Sequence, residues 1–155
     1  MSERKSGRQE GPSRTERCER EAFAAADRLT REVVAVTEAL SEGPGSPLGR
    51  LLREGAAAAL AGVASACRET SRGRALRHLA VTRHGVRRLG TWIDLAERFG
   101  DVPLESALEI LETQSRLLVG LDLLAAAWRA EGGRCPWHRR HRNGYTSIEL
   151  TLPPC

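Results

Sequence analysis

Several classes of protein are excluded by what this chain has little of. Cysteine occurs only four times in 155 residues, at irregular spacing, which argues against a disulfide framework and favours a reducing cytosol. Aromatic residues make up 4% of the chain, and a core of Ala, Leu and Val suits close-packed helices better than a β-sandwich. No window approaches about 18 uncharged apolar residues, and the N-terminus lacks an apolar signal sequence, so we expect a cytoplasmic protein without a membrane segment.

Lysine is almost absent as well, since Lys5 is the only one, and arginine therefore carries the positive charge. A GC-rich gene would favour arginine, and so would phosphate binding, because the guanidinium group matches phosphate oxygens. Composition bias does not explain why residues 68–88 contain seven arginines against one acid, a local charge of +6 in a chain of +4. Such a localised charge suggests a polyanionic partner, most commonly nucleic acid. The seven are Arg68, Arg72, Arg74, Arg77, Arg83, Arg87 and Arg88.

Apolar residues recur at intervals of three and four along four segments, which predicts four amphipathic α-helices. Glycine and proline mark the breaks between them, and Ser46 followed by Pro47 is a typical helix start. Because the connections are short, neighbouring helices must be antiparallel. We therefore predict an all-α, antiparallel up-down-up-down four-helix bundle over residues 15–131, between a flexible basic N-terminal arm (1–14) and a basic C-terminal tail (132–155). The helices are expected at about residues 15–41, 47–70, 72–99 and 103–130, and Tyr145–Leu152 alternates like a short strand.

The third and fourth helices are expected to expose different chemistry. In the third, at about 100° per residue, Arg77, His84 and Arg88 fall opposite the apolar stripe, so the arginines should form a solvent-facing band. In the fourth, the inner stripe is predicted to include Leu104 and Leu108, and the exposed side should be acidic. The other members of that stripe are Leu111, Leu118, Leu121 and Trp128, and the acidic residues are Glu105, Glu109, Glu112 and Asp122.

The arginine band predicts contacts to the phosphate backbone rather than to bases. No aromatic residue interleaves with it, so base stacking is not indicated and sequence specificity should be low. Arg139, Arg140 and Arg142 in the tail would add phosphate contacts. Two other interpretations stay open: the arginines pair with the acidic helices of neighbouring subunits, or they form an inert solvated face.

The residue patterns do not indicate a catalytic or cofactor site. Ser65 and Cys67 lack the turn and the base that a nucleophile needs, and no glycine-rich loop has the lysine and spacing of a P-loop. In the tail, Cys135, His138 and His141 are three candidate zinc ligands, one fewer than a structural zinc site usually has. We therefore predict a non-enzymatic protein without a bound metal or cofactor.

The second and third helices contain a run of residues in a recognisable order. It begins with Arg53, continues through the basic linker Ser71-Arg72-Gly73-Arg74 and the segment Leu76-Arg77-His78-Leu79, and ends around Thr91-Trp92-Ile93. These residues resemble the middle of the four helix bundle protein family, and the helix lengths fit across about residues 19–130. Further matching positions are Gly55, Ala56, Arg83, Val86, Leu89, Leu95 and Ala96.

That family includes proteins encoded by intervening sequences in bacterial large-subunit ribosomal RNA genes, and the accessory variability determinants of diversity-generating retroelements. The resemblance implies a small non-enzymatic protein that assembles into a homopentameric ring. In the retroelement branch, the ring would present basic surface to RNA or DNA and dock on a reverse transcriptase. The alternative, in the ribosomal branch, is a pure protein–protein scaffold whose arginines serve subunit assembly.

Overall fold

The computed structural model describes residues 11–40 and 46–131 and confirms the all-α, four-helix bundle. Each helix packs against the next in the chain, and the fourth packs back against the first, so the four form a square. The helices are α1 (Arg14–Glu38), α2 (Pro47–Arg68), α3 (Arg72–Arg98) and α4 (Leu104–Ala130). Residues 1–10, 41–45 and 132–155, including the segment Tyr145–Leu152, lie outside the described residues. None of the described helices has the length and apolar character needed to cross a membrane.

Side chains just before the first two helices set where those helices begin. In α1, the Glu16 N–H donates to the Ser13 hydroxyl at 3.2 Å, and the Ser13 N–H donates to the Glu16 carboxylate at 3.0 Å. This reciprocal pair starts the helix at Arg14, a residue assigned to the arm from sequence. In α2, the Gly49 N–H donates to the Ser46 hydroxyl at 2.9 Å, as the Ser-Pro start predicts.

The last two helices begin without a side-chain cap of the usual kind. In α4, Pro103 occupies the cap position, and no side chain caps the helix there. Before α3, the cap residue Ser71 makes no side-chain bond, and the Glu69 carboxylate accepts from the backbone of Thr70 and Ser71 instead. Between the two helices, Gly100 has φ of +78°, the left-handed conformation that glycine adopts after a helix end.

In the first three helices the buried apolar residues form one stripe each, whereas α4 departs from the stripe predicted for it. Leu104 and Leu108, expected inside, are 60% and 57% exposed. Leu121 and Trp128 are buried as predicted, but the rest of the inner face of α4 is offset from the predicted stripe and also carries the buried polar residue Gln114. The misplacement arose because α4 is apolar on two faces, so spacing alone did not identify the buried one. Its buried apolar residues are Ala107, Ile110, Leu117, Leu121, Leu124, Ala127 and Trp128.

Glycines bring neighbouring helices close together on both sides of the bundle. Between α2 and α3, a Cβ on Gly62 would collide with the Thr82 side chain, and one on Gly55 would lie 3.2 Å from a Leu89 methyl. Between α4 and α1, a Cβ on Gly120 would lie 3.5 Å from the Ala22 Cα. The α2–α3 approach matters for the surface, because it joins these two helices into one continuous side of the bundle.

Candidate nucleic-acid interface

The bundle is electrically divided into two sides. The neighbouring helices α2 and α3 carry ten arginines against three acids, a net charge of +7. The other two, α1 and α4, carry seven arginines against ten acids, a net charge of −3. Because α2 packs on α3 and α4 packs on α1, the charges do not alternate around the square. One side therefore has a strong positive field, which the α1–α4 side does not offset.

The outermost line of the positive side is formed by Arg77, His84, Arg87 and Arg88, which we name the α3 ridge. All four are exposed. Three of them, Arg77, His84 and Arg88, lie within an arc of about 40° opposite the buried stripe, and Arg87 lies about 80° from Arg77, toward the α4 edge. Within the described residues, no carboxylate forms an ion pair with the three arginines of the ridge. Their guanidinium groups are therefore available to an external anion without first losing an internal partner.

Arg83 is held differently, at the edge of α3 that faces α4. Its Nη2 donates to Asp122 Oδ2 at 3.1 Å, and its Nε lies 2.9 Å from Asp122 Oδ1. The Nε contact is close but poorly aligned, so it is an ion pair and not a hydrogen bond. Arg83, which the sequence predicts as a phosphate ligand, is thus paired within the bundle. It would have to break this ion pair with Asp122 to bind a phosphate.

Arg74 lies at the other edge of α3, beside the end of α2. Its Nε is 3.3 Å from Glu69 Oε1, and His78 Nε2 is 3.9 Å from Glu69 Oε2. The pKa of Glu69 is lowered, above all because the Ser71 N–H donates to the carboxylate, and further because of Arg74, the Thr70 N–H and His78. Partial burial opposes these effects but does not cancel them. An ionised Glu69 therefore fixes the α2–α3 corner and takes up part of the Arg74 charge.

The remaining cluster arginines lie where the second and third helices meet. Arg68 is exposed in the last turn of α2, and Arg72 is half-buried in the first turn of α3. The structure adds Arg50, which is exposed on the outward face of α2 and was not predicted. A helical projection of α2 would have found it, because residues 50 and 68 are five turns apart and point the same way.

The sequence also predicted candidate site residues in the C-terminal tail, residues 132–155. Arg139, Arg140 and Arg142, and the weak zinc candidates Cys135, His138 and His141, lie outside the described residues. Among the residues that are described, no group of three or more His, Cys, Asp or Glu side chains is arranged to hold a metal ion.

A second surface feature, the outer apolar face of α4, lies on the adjacent side of the bundle. Leu104, Leu108 and Val119 are each more than half exposed, and Leu123 is 44% exposed. The exposed side of α4 is therefore both acidic and apolar, whereas the sequence predicted acidic residues alone. Exposed leucines along one helix are typical of a surface that binds another protein chain.

Comparison with known proteins does not assign the chain to a family. No protein-family model matches it, and no curated protein matches it closely enough to be reported as a relative. The fold and the surface define the chain as a four-helix bundle with one basic side and one partly apolar helix face.

Proposed function

We propose that this protein is a non-catalytic, homo-oligomeric accessory protein that binds the phosphate backbone of RNA or DNA. The observation that carries the proposal is the α3 ridge, where three exposed arginines lie together without a described carboxylate partner. A guanidinium group donates two parallel hydrogen bonds to a phosphate, which makes arginine well suited to this contact. Backbone contacts position a protein on nucleic acid but do not select a sequence, so the binding is expected to be general.

The homo-oligomeric part of the proposal rests on the outer apolar face of α4. Leu104, Leu108 and Val119 would be covered by another copy of the chain, because a single bundle leaves them in water. The resemblance of residues 53–98 to the four helix bundle protein family suggests a ring of five copies and, in the retroelement branch, a reverse transcriptase as partner. These two assignments depend on the resemblance alone.

The proposal is tested by binding labelled RNA and DNA to the purified protein across a salt series, with the mass in solution measured on the same samples. Wild-type affinity should fall steeply with salt, because bound phosphates release counterions. The variant Arg77→Glu with Arg88→Glu should bind at least about tenfold more weakly at low salt and show a smaller salt slope, by about one per lost contact. Its oligomer should be unchanged.

The matched control for this variant is Arg17→Glu with Arg20→Glu on α1. It changes the net charge equally, and α1 lies diagonally across the square from α3. Affinity close to wild type in this control shows that the position of the charge matters. Equal loss in both variants would mean that net charge alone attracts the nucleic acid, and the α3 ridge would not be the binding site.

A second candidate function is a pure protein–protein scaffold whose arginines serve subunit assembly, as in the ribosomal branch of the family. Arg83 favours it, because this arginine already pairs with an acid of α4 within one chain. Exposed acids of α4 in a neighbouring copy, such as Glu105 and Glu109, would be equivalent partners for the ridge. In that case the Arg77→Glu, Arg88→Glu variant would lose its oligomer, and wild-type protein would bind no nucleic acid at low salt.

A further inference from the structure

The α3 ridge lacks the aromatic side chains on which single-stranded nucleic acids usually stack. Among the described residues, Trp128 is buried and donates to Glu19, while Trp92 is half-buried against the core. Phe23 is on α1, and Phe99, which is 79% exposed, lies eleven residues beyond Arg88 at the end of α3 and not between the arginines. Proteins that bind single strands without sequence preference combine a basic groove with such stacking groups. Between its arginines the ridge therefore offers charge without interleaved stacking groups, which favours a ligand whose bases are already paired.

The spacing along the ridge suits two phosphate backbones. Arg77 and Arg88 are eleven residues apart on nearly the same line, which is about 16 Å along the helix axis. The major groove of B-form DNA is about 12 Å wide. Two long side chains at this spacing reach phosphates on opposite sides of one groove, with α3 crossing it and His84 between them.

The surfaces on the two sides of the α3 ridge, toward α4 and toward α2, differ in how well they accommodate a wide anionic ligand. On the α4 side, the carboxylate of Asp122 lies at the edge of α3. On the α2 side, the exposed outward residues are mostly small, Ala57, Ala58 and Ala61, with the acid Glu54 among them, and α2 approaches α3 closely at Gly62. Exposed arginines stand at both ends of this surface: Arg50 and Arg68.

From this arrangement we propose that the ligand is double-stranded nucleic acid, bound through the phosphates of both strands across the α3 ridge and resting on the alanines of α2. The inference builds on the proposed function and narrows its ligand from nucleic acid in general to a duplex. It also assigns a role to α2, whose alanines provide clearance and whose Arg50 and Arg68 extend the line of phosphate contacts.

The test compares four probes of one sequence at one salt concentration: a DNA duplex of about 20 base pairs, or two turns, the RNA duplex, and a single strand of each. We expect at least one duplex to bind about tenfold or more tightly than its single strand. The Arg77→Glu, Arg88→Glu variant should lose affinity for the duplex and for the single strand. The DNA and RNA arms identify the form of the helix, since A-form RNA has a deep, narrow major groove that ridge contacts would not span in the same way.

A second variant tests the resting surface without changing charge. Ala58→Leu with Ala61→Leu adds bulk at exposed positions of a helix that tolerates leucine. Duplex affinity should fall about fivefold or more, while single-strand affinity stays the same. The control, Ala24→Leu with Ala35→Leu, adds the same bulk on exposed positions of α1 and should change neither.

The outcomes separate this inference from the proposed function. Single strands binding as tightly as duplexes, or an unaffected Ala58→Leu, Ala61→Leu variant, would overturn the duplex assignment and leave nucleic-acid binding intact. A wild-type protein that binds none of the four probes at low salt would overturn the proposed function itself.

Discussion

The side-chain amide of Gln114 on α4 occupies the space that a Cβ on Gly90 of α3 would fill. Gln114 Nε2 donates to the Val86 carbonyl at 2.8 Å, and both partners are buried. A buried amide is costly unless it is hydrogen-bonded. The glycine allows the bond to form, and the bond fixes how α3 and α4 align along their length.

We expect Gly90→Ala to destabilise the bundle by about 1–3 kcal/mol, since the new methyl group displaces the amide and leaves buried polar groups without partners. Gly85 provides the control, because a Cβ there meets nothing within 4 Å. Gly85→Ala should instead stabilise the protein by about 0.5–1 kcal/mol, the usual gain in an exposed helix interior. Urea unfolding of the two variants measures both values, and equal effects would contradict this account of Gly90.

The corner formed by Glu69 predicts how stability depends on pH. Its lowered pKa means that the ionised carboxylate stabilises the folded state above about pH 4.3, the ordinary value for glutamate, and that this contribution is lost as the pH falls through the lower folded value. Glu69→Gln should therefore lower the Tm at neutral pH. The difference from wild type should shrink as the pH falls below the ordinary glutamate value and through the lower folded value, because wild-type Glu69 then becomes protonated as well.

Thermal unfolding followed by circular dichroism at neutral pH and at a series of acidic pH values checks this expectation. Glu54→Gln, at an exposed position of α2, removes the same charge away from the corner and should leave the Tm nearly unchanged at each pH. A Glu69→Gln variant with wild-type Tm at neutral pH would show that the charge of Glu69 contributes nothing measurable, since the glutamine oxygen can still accept from Ser71 and Thr70.

The outer apolar face of α4 predicts where copies of the chain associate. Leu108→Gln with Val119→Gln should weaken self-association at least about tenfold without unfolding the bundle, because both side chains are more than half exposed. Phe23→Gln removes an exposed apolar side chain elsewhere and serves as the control. Sedimentation across a concentration series measures the effect, and an unchanged mass in the α4 variant would exclude this face as the contact.

Much of the fold follows from the sequence, because α1, α2 and α3 each have one apolar stripe and helical spacing identifies it. The fourth helix could not be resolved this way. Its inward face includes the polar residues Thr113 and Gln114, and its outward face includes Leu104 and Leu108. Polar residues interrupt the inward face and leucines interrupt the acidic outward face, so polarity alone left the buried face ambiguous. The hydrogen bond from Gln114 to α3 accounts for the polar side chain on the buried face.

The candidate site, like the fold, could be predicted from the sequence only in part. The exposure of Arg77 and Arg88 follows from their position opposite the buried stripe of α3, and the sequence predicted it. The pairing of Arg83 did not follow, because its partner Asp122 is 39 residues away and meets it only in the alignment of α3 on α4. Arg50 was missed because it stands outside the arginine cluster in sequence and joins that side of the bundle only through the packing of α2 on α3.

The Arg83–Asp122 pair gives a prediction in which removing an acid improves binding. Asp122→Asn keeps the shape of the side chain but removes the charge that holds Arg83, so Arg83 becomes free to join the α3 ridge. Nucleic-acid affinity at low salt should rise about two- to tenfold, and the salt slope should steepen by up to about one contact. Stability should change by no more than about 1 kcal/mol, because the pair is partly exposed to solvent.

Glu112→Gln is the matched control, because it removes one charge from the same helix and also releases an arginine, Arg116. Arg116 stands on the edge of α4 that faces α1, away from the ridge, so its release should not steepen the salt slope. If both variants gain affinity equally, the effect of Asp122→Asn is one of net charge. If only Asp122→Asn gains affinity, and adding Arg83→Gln to it abolishes the gain, then the Arg83–Asp122 pair limits how many phosphates the bundle binds.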